Sequence, residues 1–270
     1  MLFLAFAALF FVLWALLMPA VPAIRYGGHH ASRVLARWSK LDRYAAYLPI
    51  AIIIIAGGLI TVWAADEFID LAENVQHKSD KVEWVDRYVH DSVVQHRTPS
   101  ATTFFEVMST VGGPTGVGAI AGVATLALLI ARRFRWALYI AVNIGGGGAL
   151  DWELKHYFAR ARPDVAQMLL RASGYSFPSG HAMGSTVAFG ALTYLAFRLT
   201  KRWRWQSAAL AFALTFIVAV ALSRVYLGVH WISDVGGGIV AGVFWVASTT
   251  AAYEMLRRVH RLRALRSAGG

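Results

Sequence analysis

The chain has 270 residues, of which 57% are hydrophobic and only 15% are charged, and its formal net charge is +11. A soluble domain usually carries about a quarter charged residues, so the composition excludes an ordinary soluble protein and indicates a polytopic helical membrane protein with one membrane domain. The absence of cysteine excludes disulfides, thiolate catalysis and cysteine-ligated metals.

Residues 2–23 are almost wholly apolar. The stretch reaches the ~20 residues that span a bilayer, which predicts a first transmembrane helix entering from outside. A cleaved signal peptide is the alternative, because Val21-Pro22-Ala23 resembles a cleavage site, but the usual positively charged start is missing. The helix is favoured because the basic segment that completes residues 1–45 is typical of a cytoplasmic loop.

Residues 46–256 are predicted to form a core of six transmembrane helices. We place these at about 46–65, 103–131, 136–158, 179–198, 206–223 and 233–256. The second is expected to tilt or break at Gly112-Gly113-Pro114. Residues 257–270 form a basic, cytoplasmic tail. The predicted fold class is all-α, with one extra N-terminal transmembrane helix added to the six-helix core.

Residues 66–102 differ from the rest, because they carry eight acidic side chains. Within them, Val82, Val85, Val89 and Val93 recur at helical spacing. This pattern predicts one or two amphipathic helices lying on the outer surface. Such a segment is either a packed extramembrane cap or a lid over a site, and both interpretations stay open.

The positive charge is distributed in a way that predicts the topology. The segments proposed as cytoplasmic hold 17 of the 26 lysines and arginines. By the positive-inside rule, the N-terminus lies outside, the C-terminus lies in the cytoplasm, and residues 151–181 and 224–234 share the outer face. The net charge is therefore explained by topology and by anionic lipid headgroups, and no nucleic-acid partner is expected.

Three polar clusters fall on that outer face. They are Lys155 to Pro163, Phe177 to His181, and Ser223 to Asp234. Charged groups at a membrane boundary are costly and indicate function. Cations that converge on two histidines and a carboxylate indicate a site for a highly charged anion, and phosphate is the natural candidate.

Two of the clusters suggest specific chemistry. His230 and Asp234 are four residues apart, so on a helix the carboxylate reaches the imidazole. A carboxylate on one ring nitrogen fixes the tautomer and leaves the other nitrogen free to attack or to carry a proton. Pro178-Ser179-Gly180 is typical of a helix start, where amides and the Ser179 hydroxyl can bind phosphate oxygens close to His181.

The combined pattern resembles a known family. Lys155-x6-Arg162-Pro163, Pro178-Ser179-Gly180-His181 and Ser223-Arg224-x5-His230-x3-Asp234 are similar in full to the three-part signature of the type-2 phosphatidate phosphatase family. Soluble relatives of that family include acid phosphatases and vanadium haloperoxidases. The motifs cover about 155–234, and the helix layout covers about 46–256; the first helix is extra to that core.

The resemblance implies a role for each motif residue. His230 is expected to be the nucleophile that forms a phosphohistidine, Asp234 to orient it, and His181 to protonate the leaving oxygen. The residues expected to bind phosphate are Lys155, Arg162, Ser179, Gly180 and Arg224. The resemblance implies no metal and no other cofactor. Arg160 and His156, which lie within the first cluster, are not expected to be catalytic.

The sequence therefore predicts an integral-membrane, metal-independent lipid phosphatase. Its substrate would be an isoprenyl or glycerolipid phosphate, such as undecaprenyl pyrophosphate, phosphatidylglycerophosphate or phosphatidate. The expected setting is a bacterial inner membrane with the site facing the periplasm, the bilayer and the lipid being the partners; the oligomeric state is open. A lipid phosphotransferase on the same scaffold is the alternative. A lipid-headgroup transporter is less favoured, because it leaves His181 and the His230–Asp234 pair unexplained.

Overall fold

The structure, a computed structural model, describes the backbone of residues 2–36 and 48–268 and the side chains of 2–19, 55–164 and 166–258. Regular secondary structure in these residues is entirely helical, which confirms the all-α prediction. The helices in chain order are α1 (Leu2–Ala36), α2 (Leu48–Gln76), α3 (Asp80–Gln95), α4 (Pro99–Val111), α5 (Pro114–Ile130), α6 (Phe134–Phe158), α7 (Gly180–Leu199), α8 (Trp203–Tyr226) and α9 (Ile232–Ala268). A short 3-10 helix, Val165–Gln167, lies in the loop between α6 and α7.

Several of these helices are suited to a bilayer. Among the described residues, Leu2–Pro19, Trp203–Tyr226 and Ile232–Arg258 are each long and apolar enough to cross a membrane. Helices α4 and α5 pass the same test together and are bent by 48° at the break between them. The break occurs where it was predicted, because Pro114 lacks an amide proton and suits the first position of a new helix. These spans agree with a multi-pass membrane protein.

Helix α7 is central and packs against α6, α8 and α9. Its inner face consists of small and apolar side chains that are at most 2% exposed: Ala182, Met183, Val187, Ala188 and Ala191. Helix α9 comes so close at Gly238 that an added Cβ would lie 2.5 Å from the Ser179 carbonyl oxygen. This approach brings the starts of α7 and α9 together, and the Ser179 N–H donates to the Asp234 carbonyl at 2.9 Å.

Helices α1 and α2 flank this core, α1 along α8 and α2 along α9. The start of α1 is anchored by aromatic contacts, since Phe3 and Phe6 lie 4.6 and 5.1 Å from Phe104 of α4, ring centre to ring centre. Helix α1 runs on to Ala36, well past the predicted end at residue 23. The side chains of the predicted basic loop 24–45, and of the tail beyond residue 258, lie outside the described residues.

The acidic segment 66–102 forms different helices from those predicted. Residues 66–76 continue α2, because Ala64, Ala72 and Val75 remain buried and no helix-breaking residue intervenes. The separate helix of this segment is α3, whose Val89 and Val93 pack against a cluster of buried residues of α7, α8 and α9. In this structure α3 therefore lies on the bundle as a packed cap.

Candidate active site

His230 and Asp234 meet at the start of α9. Asp234 lies in the first turn of the helix, where its Oδ2 is 3.3 Å from His230 Nδ1 and accepts the Trp231 backbone N–H at 2.9 Å. His230 lies in the turn before α9, so the two residues do not share a helix face as the spacing predicted. They meet because Asp234 folds back over the helix start. Both side chains are buried.

The other ring nitrogen of His230 contacts Arg162. Arg162 Nη1 lies 3.1 Å from His230 Nε2 and donates to the Val229 carbonyl at 2.7 Å. A guanidinium can only donate, so Nε2 accepts and the ring proton sits on Nδ1, facing Asp234. Burial lowers the pKa of His230 to about 4, so the imidazole is neutral at neutral pH.

Arg162 itself is held by the loop between α6 and α7. Its Nε donates to the Gly174 carbonyl at 3.0 Å, and Nη2 donates to the carbonyls of Ser173 and Tyr175 at 3.1 and 3.0 Å. These bonds wrap the loop around the guanidinium and fix its plane beside His230. Burial lowers the pKa of Arg162 from its ordinary value.

Lys155 occupies the last turn of α6, which ends at Phe158 because Ala159 adopts a left-handed conformation. Its Nζ donates to the Pro178 carbonyl and lies 3.5 Å from Asp151 Oδ1. The lysine therefore ties the end of α6 to the loop that starts α7.

The predicted helix start at Ser179 is present. The Ser179 hydroxyl is buried and has no hydrogen-bond partner among the described residues. Its amide is already committed to the Asp234 carbonyl, so the free amides of this turn begin at Gly180. Gly180 is packed tightly, since an added Cβ would lie 2.7 Å from Asp151 Oδ2.

His181 and Arg224 meet the break between α4 and α5. An added Cβ at Gly113 would lie 3.0 Å from His181 Nε2, so the glycine makes room for the imidazole. The Arg224 guanidinium donates through Nη1 to the Ser109 hydroxyl. The Ser223 hydroxyl donates to the Val220 carbonyl at 2.6 Å.

These residues surround one cavity of about 420 Å³. Of the eight predicted site residues, six line it: Lys155, Arg162, Gly180, His181, Arg224 and His230. The other two, Ser179 and Asp234, are buried and do not line it. Arg171 also lines the cavity, so four cations face a space suited to a phosphate. Among the described residues, no group of three or more histidines, aspartates and glutamates could hold a metal ion.

Sequence reasoning missed three residues that contact predicted site residues or their partners. Arg160, which was not expected to be catalytic, donates to Asp234 Oδ1 at 2.6 Å. Asp86 of α3 pairs with Arg160 at 2.6 Å. Ser109 holds Arg224. The sequence contains one signal for these residues, which is the position of Arg160 two residues before Arg162. Asp86 gives no such signal, because it belongs to an acidic run that is typical of a solvated helix face.

Comparisons with known proteins agree with the motifs. Residues 136–258 match the PAP2 superfamily. The chain is 34% identical over 145 residues to phosphatidylglycerophosphatase B of Bacillus subtilis, a match that covers 51% of this chain and 70% of that protein. It is 32% identical over 148 residues to an undecaprenyl-diphosphatase of Sulfolobus acidocaldarius, a match that covers 53% of this chain and 67% of that protein.

The fold is also similar to a solved structure, the crystal structure of a transmembrane PAP2-type phosphatidylglycerolphosphate phosphatase from Bacillus subtilis. The TM-score is 0.68 at 25% sequence identity, and the match covers 72% of this chain and 96% of that one. The segment that matches the family contains all three motifs, and the prediction of a phosphatase is confirmed. The chain belongs to the PAP2 superfamily.

Proposed function

We propose that this protein is an integral-membrane lipid phosphatase that works through a phosphohistidine at His230. The observation that supports this most strongly is the pattern of contacts around the imidazole. Nδ1 faces Asp234, while Nε2 accepts from Arg162 at the wall of the cationic cavity. A neutral ring whose lone pair is directed at the anion site is what nucleophilic attack on phosphorus requires.

The reaction has two steps. In the first, His181 takes up a proton as the phosphate anion binds, His230 Nε2 attacks phosphorus, the bond between phosphorus and the lipid oxygen breaks, and His181 gives that proton to the leaving oxygen. Asp234 offsets the positive charge that the phosphorylated ring acquires. In the second step water attacks phosphorus, the nitrogen–phosphorus bond breaks, and His181 takes the proton of the water. Inorganic phosphate then leaves.

The cations of the cavity stabilise the negative charge of the phosphoryl group in both steps. Lys155, Arg162 and Arg224 line the cavity together, so charge that develops on the phosphoryl oxygens is met by fixed positive groups. When substrate binds, the Arg162 N–H that now donates to Nε2 donates to a phosphate oxygen instead, which frees the lone pair. Ser179 and Gly180 add neutral donors at the start of α7.

The substrate class is supported by the relatives, which are a phosphatidylglycerophosphatase and an undecaprenyl-diphosphatase. The lipid is a glycerolipid phosphate, such as phosphatidylglycerophosphate or phosphatidate, or an isoprenyl phosphate, such as undecaprenyl pyrophosphate. Its chain stays in the bilayer while the phosphate enters the cavity. The distribution of basic segments supports a site on the outer, periplasmic face of a bacterial inner membrane.

The test is release of inorganic phosphate by the purified protein in detergent with EDTA, across a panel of these lipids. Wild-type protein should release phosphate, and His230→Ala should be slower by at least about 1,000-fold. His156→Ala is the matched control, because this exposed histidine contacts the Trp152 carbonyl and lies outside the cavity. Activity retained by His230→Ala would refute the nucleophile, and loss of wild-type activity in EDTA would refute metal independence.

A further inference from the structure

A buried set of hydrogen bonds connects Asp234 to helix α3. Arg160 Nη1 donates to Asp234 Oδ1 at 2.6 Å and to the Ser233 hydroxyl at 2.7 Å, and its Nη2 donates to Asp86 Oδ2 at 2.6 Å. We propose that Arg160 and Asp86 are positioning residues of the catalytic pair, which orient Asp234 and, through it, His230. This inference rests on the proposed function.

Arg160 fixes the carboxylate of Asp234. One oxygen, Oδ2, faces His230 and the Trp231 amide, and the other, Oδ1, faces Arg160. With both oxygens bonded, the carboxylate cannot rotate away from the imidazole. A charge-assisted bond of this length is among the stronger hydrogen bonds in proteins, so Arg160 holds the group that selects the tautomer of His230.

Asp86 completes the arrangement from α3. It accepts the backbone N–H of Ser233 at 3.0 Å and the Ser233 hydroxyl at 2.6 Å. Ser233 is in the first turn of α9, where free amides favour a carboxylate. Asp86 therefore caps the helix start that presents Asp234, and it shares Arg160 with that residue. Asp86 and Asp234 are 3% and 0% exposed, so removing the guanidinium would leave two buried carboxylates facing each other.

Neither residue is placed to bind substrate. Arg160 and Asp86 do not line the active-site cavity. They line a separate cavity of about 300 Å³ on the other side of Arg162, against Trp231 and Lys78. Their effect on the reaction must pass through Asp234, which predicts a change in kcat and little change in KM.

The experiment compares Arg160→Gln and Asp86→Asn with wild type, using phosphatidylglycerophosphate in detergent micelles and phosphate release as the signal. We expect kcat to fall by roughly 10- to 100-fold, the usual effect of removing a partner that orients a functional histidine. KM should stay within about twofold. Arg160→Lys should fall between wild type and Arg160→Gln, because an ammonium keeps the charge but not the planar fork that reaches both carboxylates.

Arg87→Gln is the matched control. Arg87 follows Asp86 on α3, but its side chain is 65% exposed and pairs with Glu83 at 3.1 Å, so kcat should not change. Asp86→Asn keeps the size and one acceptor oxygen, which preserves a test if Arg160→Gln does not fold. Unchanged kcat in folded Asp86→Asn, or a raised KM with kcat retained, would overturn the inference. Absence of wild-type activity on every lipid of the panel would instead overturn the proposed function.

Discussion

The environment of His230 shows how a buried imidazole can be kept both neutral and oriented. Asp234 alone would favour the protonated ring, because a nearby negative charge stabilises a cation. Burial acts in the opposite direction and is the larger effect, which is why the pKa of His230 falls to about 4. Arg162, facing Nε2, adds to this effect and also fixes where the single ring proton sits.

The lowered pKa predicts how the site responds to acid. Protonation removes the Nε2 lone pair, so the reactive form is the neutral one and is lost as the pH falls through the pKa. Because that pKa lies at about 4, His230 should remain neutral down to about pH 5, whereas an ordinary histidine is protonated below about 6.5. Nitrogen NMR of histidine-labelled protein in micelles measures this directly, with His230→Gln to assign the signal. A His230 signal that titrates near the ordinary value, or a proton on Nε2 at neutral pH, would contradict the prediction.

Single residues also show where sequence reasoning stops. The motif residues could be predicted because their types and spacing are themselves the signal, although their catalytic roles remain predictions. The contact of Arg160 with Asp86 could not be predicted, since it joins positions 74 apart in the sequence and depends on how α3 packs. An acidic residue in a mixed, amphipathic helix looks the same in the sequence whether it faces water or a buried arginine.

At the scale of helices, the break between α4 and α5 shapes the site. Gly112-Gly113-Pro114 indicated a break, and the structure places it beside His181. The extent of α2 was harder to predict, because the acidic residues after position 65 looked like the start of a surface segment. The helix continues to Gln76 because burial of its apolar face stabilises it more than the acidic residues on its other face destabilise it.

The break predicts that Gly113→Ala reduces catalysis without unfolding the protein. Gly113 has an ordinary backbone conformation that alanine can adopt, but the added Cβ would lie 3.0 Å from His181 Nε2 and 3.0 Å from the Ser109 carbonyl oxygen. Displacement of the imidazole by a few tenths of an ångström should lower kcat roughly tenfold. The measurement is kcat together with the thermal unfolding midpoint. Gly122→Ala in α5 is the control, since nothing lies within 4 Å of its added Cβ; equal kcat in the two variants would contradict the prediction.

At the scale of the whole molecule, the helices bring three distant motifs to one end of the bundle. The starts of α7 and α9 and the end of α6 all meet at the cavity. The charge pattern predicts that this end faces outward, with Lys78 on the same side and the short turn at Arg133 on the cytoplasmic side.

Because the chain contains no cysteine, single introduced cysteines report this topology without background. Both Lys78 and Arg133 are exposed in the structure. An impermeant maleimide should label Lys78→Cys in intact cells. It should label Arg133→Cys only after the membrane is permeabilised. The reverse pattern would place the site in the cytoplasm.

We propose that the phosphoryl group passes through His230, and trapping that intermediate is the most direct test. In a His181→Ala variant, a lipid pyrophosphate should still phosphorylate His230, because the lipid phosphate that leaves needs no added proton. The second step should be slowed, because water lacks its base, so a phosphoenzyme should accumulate. Quenching in alkali, which preserves nitrogen–phosphorus bonds, followed by peptide mass spectrometry then identifies the residue that carries it. We predict one phosphoryl group on His230 and none in the variant that also carries His230→Ala. A phosphoryl group on any other residue would contradict the account.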